Sequence, residues 1–146
     1  MIGLKNLKMK KLIFLTAFVA TATLVFAQGT KFYQGTFVQL QANASKNNLA
    51  YYVYLFSEDC ITCANTDTAF QHAGVAEFAN KGFPGMKVAF NSLEGSKIAQ
   101  QFAITKVPAL IFLGSSGSVF KKVESSVDHK DLLGLMQRYA AANEMK

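Results

Sequence analysis

Tryptophan is absent from this chain of 146 residues, and proline and cysteine each occur only twice. With 10 glycines, 51% apolar and 16% charged residues, the composition excludes a fibre, a repeat array and a disordered tail, and describes one ordinary globular domain. No second cysteine pair exists to complete the four ligands that zinc usually takes. No glycine-rich phosphate loop and no Ser-His-Asp pattern is present, so nucleotide and acyl chemistry have no support. Acidic residues are scarce, 9 against 15 basic ones, but Lys5, Lys8, Lys10 and Lys11 account for much of the excess. Setting that segment aside leaves 11 basic against 9 acidic residues, scattered without a stripe, so no nucleic-acid partner is expected.

The first 27 residues read as an address. Lys5 to Lys11 form a positive region, Leu12 to Phe26 an apolar run, and Val25-Phe26-Ala27 places small residues where a signal peptidase inspects the chain. Cleavage is expected after Ala27. The apolar run of about 15 residues is short for a membrane span, which needs roughly 20. An uncleaved N-terminal anchor is the alternative. The remaining 119 residues, Gln28 to Lys146, hold both cysteines and are expected to work where disulfides persist, in the periplasm or outside the cell.

Helices and strands alternate along this segment. Thr36 can cap a helix with Phe37, Leu40 and Ala44 on one face, ending at Lys46-Asn47-Asn48. Leu49 to Phe56 is apolar throughout, which suits a strand covered on both faces. A helical stretch is expected from Cys60 to about Ala73, interrupted at Gly74 and followed by a short helical turn over Val75 to Asn80. Met86 to Asn91 reads as a strand, Gly95 to Phe102 as a helix, and Ala109 to Leu113 as a buried strand introduced by Pro108. Gly114-Ser115-Ser116-Gly117 makes a hairpin into Ser118 to Val123. A last helix, Asp128 to about Ala141, is expected to bury Leu132, Leu135, Met136 and Tyr139. The pattern predicts an α/β fold with a mixed central sheet of four to five strands and helices on both faces.

The chemistry lies in Cys60 and Cys63, placed where a buried strand ends and a helix begins. Positions three apart on a helix lie roughly 5 to 6 Å apart, within the separation a disulfide requires. A cysteine at a helix N-terminus meets unpaired amides and the macrodipole, which favour a thiolate. Cys60 would attack and Cys63 would resolve the mixed disulfide. A structural staple is the plainer reading, yet closing a loop of four residues contributes only about 1.9 kcal/mol against about 3 kcal/mol for 15 residues. A metal site is the third reading. It finds no further ligand in His72, which an unbroken helix would turn away from Cys63. His72 and His129 read as surface or helix-end residues, and Asp128 and Asp131 as capping residues of the last helix.

The stretch Tyr51-Tyr52-Val53-Tyr54-Leu55-Phe56-Ser57-Glu58-Asp59-Cys60-Ile61-Thr62-Cys63 and the stretch from Ile98 to Leu113, with Val107-Pro108 ahead of a buried strand, resemble the thioredoxin superfamily. The likeness is strongest to its secreted bacterial members and spans about Thr36 to Tyr139. It implies a thioredoxin fold, a redox-active disulfide with no other cofactor and no metal, a cis Pro108, and Val107 as the residue whose backbone pairs with bound peptide. It also implies protein substrates with disulfides, and an upstream thiol donor such as a membrane-spanning thiol carrier. Three departures stand out. Asp59 takes the place of the family's tryptophan before the first cysteine, Tyr54 that of its buried acid, and Ala89 lies near the position of the lysine that partners this acid. Ile61-Thr62 is neither the Gly-Pro of thioredoxins nor the Pro-His of strong periplasmic oxidases.

Glu58 and Asp59 bear on direction. A carboxylate about 6 Å away through water costs a thiolate about 0.7 kcal/mol, near half a pKa unit. Two of them largely cancel the roughly 0.3 to 1 kcal/mol that a helix terminus offers, so Cys60 is expected to have an ordinary or mildly lowered pKa. Potent oxidants depend on a stabilised reduced form, so a protein-disulfide reductase or isomerase is expected rather than an oxidase. The competing class is a binding module of the same fold whose CxxC is vestigial or structural.

Overall fold

The computed structural model describes residues 28–145, and the expected leader over residues 1–27 lies outside them. Among the described residues no helix is long and apolar enough to cross a membrane. The elements are α1 (Phe37–Lys46), β1 (Tyr51–Phe56), α2 (Cys63–Gln71), α3 (Ala73–Gly82), β2 (Gly85–Ala89), α4 (Leu93–Phe102), β3 (Ala109–Leu113), β4 (Val119–Val123) and α5 (His129–Glu144). The four strands form one sheet in the order β2-β1-β3-β4, at the lower end of the expected strand number. β1 runs parallel to β2 and antiparallel to β3, and β3 is antiparallel to β4.

The side-chain period of a strand divides the core in two. Tyr51, Val53 and Leu55 of β1, with Ala109, Ile111 and Leu113 of β3, face α1 and α4. Tyr52 and Tyr54, with Leu110 and Phe112, face α2, α3 and α5. All ten of these side chains are fully buried, as expected for central strands covered on both sides. Helix starts follow their caps: Thr36 and Gln39 form a capping box on α1, Ser92 caps α4, and Asp128 accepts the amides of Lys130 and Asp131 at the start of α5.

Three expectations need correction. The helix after the cysteines begins at Cys63, so Cys60 stands in the turn ahead of it. The break that follows falls at His72, whose extended backbone ends α2 and whose ring accepts the Gly74 amide to start α3. Gly74 therefore lies inside α3, which is a full helix of 10 residues rather than a turn. In α5, Leu132 and Met136 are buried, while Leu135 and Tyr139 are only partly covered.

The segment before α1 straps α2 and α3 to the sheet. The Thr30 amide and hydroxyl both donate to the Phe70 carbonyl, the Lys31 amide donates to Asn80, and the Tyr33 amide to the Gly85 carbonyl. Gly85 is glycine for a steric reason, because a Cβ there would enter the Tyr52 ring. Phe70 fixes α2 to the sheet by stacking on Tyr52 and Tyr54, with ring centroids 5.4 and 5.3 Å away, and by meeting Phe32 edge-on. Phe70→Ala removes this anchor and leaves a cavity. It is expected to cost about 3 to 5 kcal/mol, read as a lowered urea midpoint of the oxidised protein.

Candidate functional site

β1 ends at Phe56, and the chain turns through Ser57, Glu58 and Asp59 into Cys60. Cys60 and Cys63 are joined in a disulfide with their Cα atoms 5.2 Å apart. The Cys60 amide donates to the Ser57 carbonyl, and the Cys63 amide donates both to the Cys60 carbonyl and to Cys60 Sγ, the latter at 3.1 Å. The first residue of α2 thus shares its amide between the Cys60 carbonyl and sulfur, and Thr62 at the cap makes no side-chain bond to the helix. Thr62 Oγ1 lies 3.6 Å from the same sulfur.

The two sulfurs are not equivalent. Cys63 is 2% exposed, whereas Cys60 is partly open to solvent beside Ile61, which is 90% exposed. Glu58 and Asp59 are both exposed, so their charges act through water. Attack from outside can reach Cys60, and a thiol at Cys63 would meet it from the protein side.

Tyr54 lies beneath α2 and donates its hydroxyl to the Cys63 carbonyl at 3.1 Å. Burial, with the Asp67 carboxylate beside the hydroxyl, raises the phenol well above its ordinary range, so it stays protonated. Asp67 follows Cys63 by one helical turn and pairs with Lys87 Nζ at 2.7 Å. Lys87 Nζ also lies 4.5 Å from the centroid of the Phe56 ring and 5.6 Å from that of Tyr54. The parallel register sets Lys87 directly opposite Tyr54. The position beside Tyr54 is therefore held by Lys87 and not by Ala89, because β2 begins at Gly85 and facing residues of paired strands share a face. The sequence offered one missed signal: Asp67 follows Cys63 by four, the spacing that keeps two side chains on one helix face.

The antiparallel register Leu55↔Ala109 brings the start of β3 alongside the end of β1, and with it Val107 and Pro108. The Val107-Pro108 bond is cis, Pro108 is buried, and Val107 is partly buried against the core. The elements thus carry Glu58, Asp59, Cys60, Cys63, Val107 and Pro108 to one end of the sheet. Sequence reading did not find Thr66, fully buried in α2, whose hydroxyl accepts the Val127 amide at 3.3 Å. Nor did it find Glu124, whose Oε2 accepts the Thr105 amide and hydroxyl at 3.2 and 3.3 Å.

Helices on both faces of a mixed sheet, with a cysteine pair between a central strand and the next helix, are the architecture of the thioredoxin fold. No family model and no curated protein matches the sequence. Among solved structures, a thioredoxin from Thermus thermophilus superposes with a TM-score of 0.68 at 18% identity, covering 80% of this chain and 91% of that one. DsbH oxidoreductase gives 0.67 at 13% identity over 83% and 92% of the two chains. A candidate disulphide-isomerase from Bacteroides thetaiotaomicron gives 0.65 at 23% identity over 79% and 96%. At these identities the likeness establishes the fold.

Tyr54→Phe deletes the donor to the Cys63 carbonyl and leaves the ring in place. A loss of about 1 to 2 kcal/mol in urea unfolding, with the far-ultraviolet spectrum unchanged, is the expected result.

Proposed function

We propose that this protein is a thiol-disulfide oxidoreductase of the cell envelope that reduces or isomerises protein disulfides. The observation that carries the reading is the Cys60–Cys63 disulfide at the head of α2, with Cys60 partly exposed and Cys63 buried. In the reduced protein the Cys60 thiolate attacks one sulfur of a partner's disulfide. A mixed disulfide forms, and the partner's other sulfur leaves as a thiolate that takes up a proton. Cys63 then loses its proton and attacks Cys60 Sγ. The internal disulfide re-forms, the partner's second thiol is released, and two electrons have passed to the partner. A dithiol donor must return those electrons, and a membrane-spanning thiol carrier fits that need. Val107 would align the partner's backbone, and Ile61 with Val107 would supply the apolar contact.

Against a staple stands the size of the loop, since a ring of four residues gains little from closure. The neighbours named as oxidoreductase and disulphide-isomerase support the reading through their shared fold. The leader expected over residues 1–27 supports placement in the periplasm or outside the cell. The native chain is expected to accelerate insulin precipitation by dithiothreitol, and Cys60→Ser to lose that acceleration entirely. Equal rates for the two chains would leave only the binding-module reading.

The acidic residues beside Cys60 favour reduction or isomerisation over oxidation. Equilibration against glutathione buffers is expected to place the couple nearer the thioredoxin value of about −270 mV than the roughly −120 mV of a strong oxidant. A value at the oxidising end would reverse the direction.

A further inference from the structure

β4 and the loop after it meet both the segment that leads to Val107 and the helix that carries Cys63. Its register, Leu110↔Val123, brings Glu124 to the same end of the sheet as the start of β3. Lys122 of β4 and Glu124, just past its end, both meet the segment that leaves α4. Lys122 Nζ donates to the Phe102 carbonyl at 2.9 Å, where α4 ends in the left-handed residue Ala103. Glu124 Oε2 takes the Thr105 amide and hydroxyl, and the Lys106 amide also points at the carboxylate. The charges match the backbone they meet: a cation sits on the carbonyl end of a helix, and an anion sits on free amides. Three residues further on, the Val127 amide is held by buried Thr66 of α2, one turn after Cys63. An unbroken frame thus runs from the cysteine helix through Thr66, Val127 and Glu124 to Thr105 and Lys106, the two residues before Val107.

We propose that Glu124 is a positioning residue for substrate docking, holding the backbone at Thr105 to Val107 at a set distance from the cysteine pair so that an extended protein substrate can align along it. The inference rests on the thiol-disulfide reading and on Val107 as the docking edge. Glu124 touches neither cysteine. Its removal therefore changes how a polypeptide is held and leaves the sulfur chemistry alone.

Steady-state reduction of insulin and of hydroxyethyl disulfide separates the two effects, because the small disulfide has no chain to align. Glu124→Ala is expected to raise the KM for insulin roughly three- to tenfold, the range of an ordinary net hydrogen bond, since the carboxylate is partly solvated. The kcat should stay within about twofold, and the rate with hydroxyethyl disulfide should equal that of the native chain. Glu124→Gln keeps an acceptor oxygen and should recover most of the KM. An unchanged insulin KM in Glu124→Ala, or an equal fall with both substrates, overturns the proposal. Should Glu124→Ala fail to fold, hydrogen exchange in the native chain decides. Slowed Thr105 and Lys106 amides uphold the clamp, and exchange at open-loop rates refutes it. A native chain without Cys60-dependent reduction of either disulfide sinks the thiol-disulfide reading instead, a result distinct from any of these.

Discussion

Everything in this molecule depends on β1 being apolar on both faces. Its five fully buried residues, Tyr51 to Leu55, alternate between two cores, so helices must cover both sides of the sheet. That requirement fixes where the chain can change direction. The first polar residues after the strand, from Ser57 onward, mark the edge of the core, and the next helix must fold back over Tyr52 and Tyr54 to bury them. The cysteine turn occupies this corner. One sulfur therefore meets solvent while the other is drawn under by the helix that covers the strand.

The same alternation sorts the remaining site residues. Parallel pairing with β2 sets Lys87 beside Tyr54, and antiparallel pairing with β3 returns Pro108 to the end where β1 leaves the core. Pairing of β3 with β4 then carries Glu124 there too. Strand register thus gathers groups from four segments of the chain, while helix caps decide only how each connection begins. A one-residue slip in any of these pairings would turn the corresponding side chain to the other face.

Much of this was legible in the chain because its signals are local. The apolar run of β1, the Thr36 cap, the glycine hairpin and Ala109–Leu113 all follow from residues next to one another in sequence. The cysteine pair was legible for the same reason, since three-residue spacing and a strand end can be read without a fold. What escaped depends on partners far apart. The strap of Thr30 on Phe70 spans 40 residues, and Thr66 meets Val127 across 61. His72 rather than Gly74 breaks the helix because its ring can cap the following one, a bond that glycine cannot make. Lys87 was hidden by register, which no local pattern specifies.

A tyrosine rather than a carboxylate at position 54 has its own physical logic. A lone carboxylate on a fully buried strand position must be neutralised or paired, and either choice carries a desolvation cost. Here a carboxylate stands on α2 as Asp67, and its partner Lys87 reaches it from β2 with both side chains still partly solvated, at 41% and 27% exposure. The ion pair stays close to water and escapes most of the burial penalty. The buried position falls to a neutral phenol whose raised pKa keeps its proton throughout the physiological range. The bond from Tyr54 to the Cys63 carbonyl therefore does not titrate in that range, and it holds the backbone that seats the buried sulfur.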